Sequence, residues 1–203
     1  MQDFDLNISG LAVGIIERFE LSYAQQDLNA SSTFGVISTV VPTIAPGQHL
    51  KMDVVGAKVR LAGDAVLDSD SLIPQVSAAV LYKSTFAGSY IGVLNALGAK
   101  TTGTDVYIAA TKLFLAKSVL VNGILRITEA NQGGLLGFGV NGEQNYQVVP
   151  ELSIAYLTRK DIAVGAEYRV MPNNFQNSIS PGYLHSDDWQ TFSLHGPPAN
   201  ISL

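Results

Sequence analysis

Eight stretches of this chain alternate apolar and polar residues for ten to twelve positions at a time, and that length restricts the fold more than any other feature. Period-2 alternation rich in Val, Ile, Tyr and Ala, bounded by Gly, Asn, Asp and Ser, marks β-strands. The runs are Asp5 to Ile15, Arg18 to Leu28, Leu50 to Leu61, Pro74 to Ser84, Thr104 to Leu115, Val119 to Ala130, Gln147 to Thr158 and Ile162 to Met171. Strands of globular proteins usually have about five or six residues, whereas a tilted membrane-crossing strand needs about nine to eleven.

The connections add a second constraint. Ile16-Glu17, Ala62 to Ile73, Ala116 to Ser118 and Arg159 to Asp161 alternate with longer segments at Asn29 to His49, Thr85 to Gly103, Asn131 to Tyr146 and from Pro172 onward. Short turns on one rim and long loops on the other are the layout of an outer-membrane barrel. The expected fold is therefore all-β, an antiparallel up-and-down transmembrane β-barrel of eight or more long strands. It forms one domain over residues 1–203, atypical from about 190.

Composition agrees. Hydrophobic residues make up 47% of the 203 and charged residues 14%, against roughly 25% charged in soluble proteins. The longest uncharged stretch, Leu28 to Leu50, is broken by Pro42 and Pro46, so it does not read as a transmembrane helix. A net charge of −5 without a basic cluster argues against a nucleic-acid partner. No cysteine is present, which excludes disulfides and thiolate chemistry. The sequence after Met1 has neither the basic nor the apolar region of a secretory signal.

Strand parity assigns two faces. Val76, Ala78, Val80 and Tyr82 share one side, as do Val121, Gly123, Leu125 and Ile127, then Leu152, Ile154 and Tyr156, then Ile162, Val164, Ala166 and Tyr168. These are the expected lipid-facing residues. Gln75, Ser77, Lys83, Asn122, Arg126, Thr128, Glu151, Ser153, Glu167 and Arg169 face the other way. Tyr23, Tyr82 and Tyr168 are expected near the long-loop rim and Tyr156 near a short turn, as an aromatic girdle requires. The segment Thr85 to Ala99 breaks the alternation, and reads as either a short helix at the barrel mouth or an extracellular loop.

The strings GIIERFELSYAQQDL (Gly14 to Leu28), LKMDVVGAKVRLAGDAV (Leu50 to Val66), GTDVYIAATKLFLAK (Gly103 to Lys117) and PELSIAYLTRKDIAVGAEYR (Pro150 to Arg169) resemble a proteobacterial family of predicted outer-membrane proteins of unknown function. The resemblance runs from about Gly14 to Trp189. It implies a membrane β-barrel in the outer membrane of a Gram-negative cell and carries no substrate. Members are expected to begin with a signal peptide and to end on an aromatic residue, whereas this sequence ends Ile201-Ser202-Leu203. The first and last strands are therefore expected to pair poorly, leaving an open sheet.

Motifs of soluble enzymes find no support. Gly137 to Gly142 spells the dinucleotide fingerprint, but no helix pattern follows it, so a glycine-rich loop is expected. Asp64, Asp68 and Asp70 lack the spacing of a calcium loop and read as a solvated acidic turn. His49, His185 and His195 are the available bases, and no Gly-X-Ser-X-Gly elbow accompanies them. Neither catalysis nor a cofactor or metal is expected.

The remaining constellation is charged and faces inward: Glu20, Lys58, Arg60, Arg126, Glu151, Glu167 and Arg169. Counted from the short-turn ends, Arg126, Glu151, Glu167 and Arg169 fall at one height on three consecutive strands. Glu20 and Arg60 fall lower. Mixed signs at one height should pair across strands and narrow the passage. A three-residue loop Arg159-Lys160-Asp161 would set Glu151 opposite Arg169 and give Asp161 the left-handed position. The functions in view are a porin-like or transport channel, a non-transporting surface-interaction barrel, and a soluble lipid-binding barrel.

Overall fold

The computed structural model describes residues 5–29, 49–64, 73–159, 162–172, 174 and 188–195. They form nine strands: β1 (Asp5–Ile15), β2 (Phe19–Asn29), β3 (His49–Ala62), β4 (Gln75–Phe86), β5 (Thr102–Phe114), β6 (Val119–Thr128), β7 (Gln147–Arg159), β8 (Ile162–Arg169) and β9 (Trp189–His195). Each pairs antiparallel with its chain neighbour in a single sheet ordered β1 to β9, curled into a half-barrel. The first eight are the alternating runs read from sequence, shifted by at most three residues at either end. β9 lies in the stretch read as atypical; at seven residues it is the shortest strand, which weakens its periodic signal.

The expected open sheet is found. Among the described residues, β1 and β9 have no strand partner on their outer sides. Both run in the same direction, because an odd number of antiparallel strands separates the two edges by an even number of reversals. A ladder made directly between them would be parallel, so antiparallel closure requires an odd number of further strands.

The sheet is strongly sheared. One hydrogen-bonded row runs Glu20, Lys58, Ala79, Tyr107, Arg126, Val149 from β2 to β7. These residues stand one, four, four, seven, seven and ten positions from the short-turn ends of their strands. A climb of about three residues per hairpin, at roughly 3.3 Å per residue and 4.8 Å between strands, corresponds to a strand tilt of roughly 45°. Barrels have this inclination, and flat open sheets do not.

The hairpin at the end of β7 has the expected register, with Glu151 opposite Arg169 and Tyr156 opposite Val164. Arg159 pairs with Ile162, with an irregularity between Leu157 and Arg159, so Arg159 belongs to the strand and not to the loop. Lys160 and Asp161 lie outside the described residues.

Facing follows the parity assignment where burial separates the two faces, with Lys112, buried although its parity is outward, as an exception. Val80, Tyr82, Leu125, Ile127, Leu152, Ile154, Tyr156, Val164 and Tyr168 are exposed, while Ser77, Lys83, Thr128 and Glu151 are buried. Tyr82 and Tyr168 lie toward the long-loop ends and Tyr156 toward a short turn, where the exposed Phe19 and Phe114 join it. Tyr23 differs from expectation by sitting mid-strand. It is nevertheless the last aromatic on the outer face of β2, because Gln25 and Asp27 follow it on that face. Its hydroxyl donates to Asp53 at 3.2 Å.

The long connections pack on themselves. Gly88–Tyr90 forms a single 3-10 turn that leads into the short helix α1 (Ile91–Ala96). Tyr90, Leu94 and Leu97 join Leu50 and Val140 in an apolar cluster, and Phe138 joins Met52 and Ala130 in a second. The loop before β5 and the glycine-rich loop are zipped together: Lys100 N donates to Phe138 O at 2.8 Å, Phe138 N to Lys100 O at 2.9 Å, and Asn141 N to Leu97 O at 2.9 Å. Of the two readings of Thr85 to Ala99, the helix at the mouth is the one found. The next element after Gly142 is β7 rather than a helix, and the fingerprint glycines serve this loop: Gly137 has φ +75°, and a Cβ on it would stand 2.5 Å from Lys100 O.

Gly103 makes room for the wholly buried Phe138 ring, since a Cβ there would lie 2.2 Å from Phe138 Cδ1. Gly103→Val is expected to push that ring out and destabilise the fold by about 1–3 kcal/mol. A lowered urea midpoint, with protease cutting within residues 131–142, would report it; an unchanged midpoint would contradict the packing described.

Candidate functional site: a charge ladder in the lumen

The upper part of the inner face carries a run of six ionisable side chains, basic and acidic in alternation, on five consecutive strands. Lys83 Nζ lies 2.7 Å from Asp105 Oδ2, and Arg126 Nη1 lies 3.5 Å from the same oxygen. Arg126 Nε donates to Glu151 Oε1 at 2.5 Å. Arg169 Nε lies 3.3 Å from Glu151 Oε2 and its Nη2 2.8 Å from Glu167 Oε1. The order from β4 to β8 is thus Lys83, Asp105, Arg126, Glu151, Arg169, Glu167.

Sheet shear explains how these residues meet. Hydrogen-bonded rows climb, so residues at one height are diagonal neighbours, two positions off the direct partner and on the same face. Lys83 is directly opposite Gly103 yet meets Asp105, and Arg126 is directly opposite Tyr107 and Val149 yet meets Asp105 and Glu151. Only Glu151 and Arg169 are directly opposed.

Burial makes the ladder consequential. Asp105 is 0% exposed and Glu151 5%. Asp105 also accepts from Thr128 Oγ1 at 2.6 Å, so both carboxylate oxygens are engaged. The Arg126 guanidinium lies 5.1 Å from the centre of the Tyr107 ring, within cation–π range. Above the ladder the glycine-rich loop is tied to the wall, because Lys83 Nζ donates to Gly133 O at 2.9 Å and Thr85 Oγ1 to Gly134 O at 2.6 Å. Ladder and loop together line a cavity of about 200 Å³ on the inner face.

The seven residues read from sequence separate into two groups. Arg126, Glu151, Glu167 and Arg169 come together as expected. Lower down, Glu20 pairs with Lys58 at 2.8 Å, while Arg60 turns to Asp64 at 3.3 Å instead of joining Glu20. Sequence reasoning omitted Asp105 altogether and left Lys83 out of the network. The signal for Asp105 was its parity, since an acid sharing a face with Gly103 and Tyr107 points inward. Its partners depend on shear, which sequence does not display.

The other candidates take ordinary places. Asp64 serves Arg60, and Asp68 and Asp70 lie outside the described residues. His49 Nδ1 is 2.6 Å from Asp27 Oδ1 on the outer face, with Lys51 Nζ 3.5 Å from the same carboxylate's other oxygen. His185, and the side chain of His195, lie outside what is described.

Fold and lumen together define an all-β, up-and-down half-barrel that is apolar outside and charged inside. The chain belongs to the family described as "Protein of unknown function (DUF3034)", whose model matches residues 1–200. Comparison with curated proteins and with solved structures finds no match.

Removing Arg126 leaves Asp105 with Lys83 alone and Glu151 with Arg169 alone. Arg126→Ala is expected to destabilise the protein by about 1.5–3 kcal/mol, the loss of a charge-assisted hydrogen bond. The Arg126→Ala/Glu151→Ala double variant should cost less than the sum of the single changes by roughly 1–3 kcal/mol. Urea unfolding of the four proteins in detergent measures this, and strict additivity would mean that the pair is not coupled.

Proposed function

We propose that this chain is a bacterial outer-membrane β-barrel protein, a porin-like barrel whose passage is closed in its resting form. The observation that carries the reading is the inverted polarity of the sheet. A soluble lipid-binding barrel buries an apolar interior and shows water a polar surface. Here Leu11, Leu21, Val80, Ile108, Leu125, Ile154 and Phe192 are exposed on the outside, and Lys83, Asp105, Thr128 and Glu151 are buried within. Such an exterior is stable against lipid and would aggregate in water.

Dimensions support the same reading. An eleven-residue strand such as β1 or β2, tilted by roughly 45°, rises about 25 Å, the height of the apolar band on outer-membrane barrels. Above Tyr23 the outer face of β2 and β3 turns polar, with Gln25, Asp27, His49, Lys51 and Asp53 marking an upper boundary. The proposed partner is therefore outer-membrane lipid. Nucleic acid, catalysis and bound metal play no part in the proposal.

A non-transporting barrel with surface-contact loops is the second reading, favoured by the loop pinned into the lumen through Gly133 and Gly134. Planar-bilayer recording separates the two. The unmodified protein is expected to conduct little, and the Arg126→Ala/Glu151→Ala variant markedly more, because it removes two large side chains from the inner wall and breaks the ladder at its middle. Large, stable conductance of the unmodified protein would reject the closed lumen; an equally silent double variant would favour the non-transporting barrel. A monomer that stays soluble without detergent would reject the membrane assignment.

A further inference from the structure

The cavity beside the ladder has two unlike walls. One is the end of the ladder, where Arg169 has its side chain 42% exposed while Glu151 next to it is 4% exposed. The other comes from the two edges of the sheet: Leu6 and Ile8 on β1 and Trp189 on β9, with Val149 at its rim. Ile8 and Trp189 face this charged lumen yet remain 57% and 51% exposed, so apolar surface there meets no protein among the described residues. Trp189 is directly opposite Arg169 on the same face, which sets an indole beside a guanidinium.

We propose that this cavity binds a small monocarboxylate with an apolar body about the size of benzoate, the solute class for which the barrel is built. The sign of the ligand follows from which charges are accessible. Asp105 and Glu151 are deeply buried, and each is already flanked by two cations. Glu167 does not line the cavity. Of the cations lining the cavity, Lys83 and Arg126 have side chains only 10% and 14% exposed. The charged group that a ligand meets is therefore Arg169, 42% exposed, whose Nε and Nη2 face Glu151 and Glu167 and whose remaining guanidinium edge is left to a carboxylate. The apolar wall sets the rest of the molecule, and the volume of about 200 Å³ sets its size, given that a cavity of about 150 Å³ holds benzene. The inference rests on the lumen facing of the proposed barrel, and not on its location in a membrane.

Trp189 is the one tryptophan of the sequence, so binding is read directly from intrinsic fluorescence. Benzoate titrated into detergent-folded protein is expected to give a saturable change in emission. Benzyl alcohol, with the same body and no charge, should need at least tenfold higher concentration, and benzylamine should give no saturable change. Arg169→Met should weaken benzoate binding at least tenfold while the protein stays folded, since Arg126 still holds Glu151. Ile8→Glu, on the opposite wall, should abolish binding independently.

Equal responses to benzoate and benzyl alcohol, or unchanged affinity in Arg169→Met, would overturn the carboxylate site. Displacement of benzoate by sulfate at equal concentration would overturn the apolar half of the argument. The membrane reading fails separately: protein that is soluble without detergent, yet binds benzoate through Arg169, would sink the outer-membrane assignment and leave the site standing.

Discussion

The inclination of the strands governs everything else in this molecule. Backbone N–H and C=O groups must be paired wherever water is excluded, and here every strand pairs with its chain neighbour along most of its length. A ladder of this kind can lie flat or climb. This one climbs by about three residues per hairpin, and the curl, the polar lumen and the meeting of side chains remote in sequence all follow from that slope.

The charge ladder is its clearest product. The contacts among Lys83, Asp105, Arg126 and Glu151 form because diagonal neighbours are level, while Glu151 and Arg169 are direct partners and Glu167 shares β8 with Arg169. With signs alternating from Lys83 to Glu167, each of the two buried carboxylates lies between two cations. An ion pair moved from water to a low-dielectric lumen gains little net stability, because desolvation offsets most of the attraction. What such an array contributes is a fixed geometry: each inner member is held on two sides, so the wall keeps one arrangement.

The cap over the ladder uses different physics. The buried apolar clusters of the described residues lie where the loop carrying α1, the glycine-rich loop and the upper ends of the strands meet, around Leu50, Leu94 and Phe138. Glycines at 103 and 137 permit the close approach, and two side chains on β4, Lys83 and Thr85, donate to the cap's backbone carbonyls at Gly133 and Gly134. Mouth and wall are thus coupled through Lys83, which holds both Asp105 of the ladder and Gly133 of the loop.

Strand positions, hairpin order and the facing of side chains were legible in the sequence, because period-2 alternation and parity are local properties that survive any arrangement of the strands. Seven-residue β9 escaped notice, since so short a run barely differs from a loop. The inward direction of Arg126, Glu151, Glu167 and Arg169 was readable in the same way. Tertiary structure decided which of them touch, that Asp105 and Lys83 complete the series, that Arg60 prefers Asp64 to Glu20, and that Trp189 stands beside Arg169. Those outcomes depend on shear and on how loops fold back over the rim, which are sums over the whole sheet and leave no mark in any single stretch of residues.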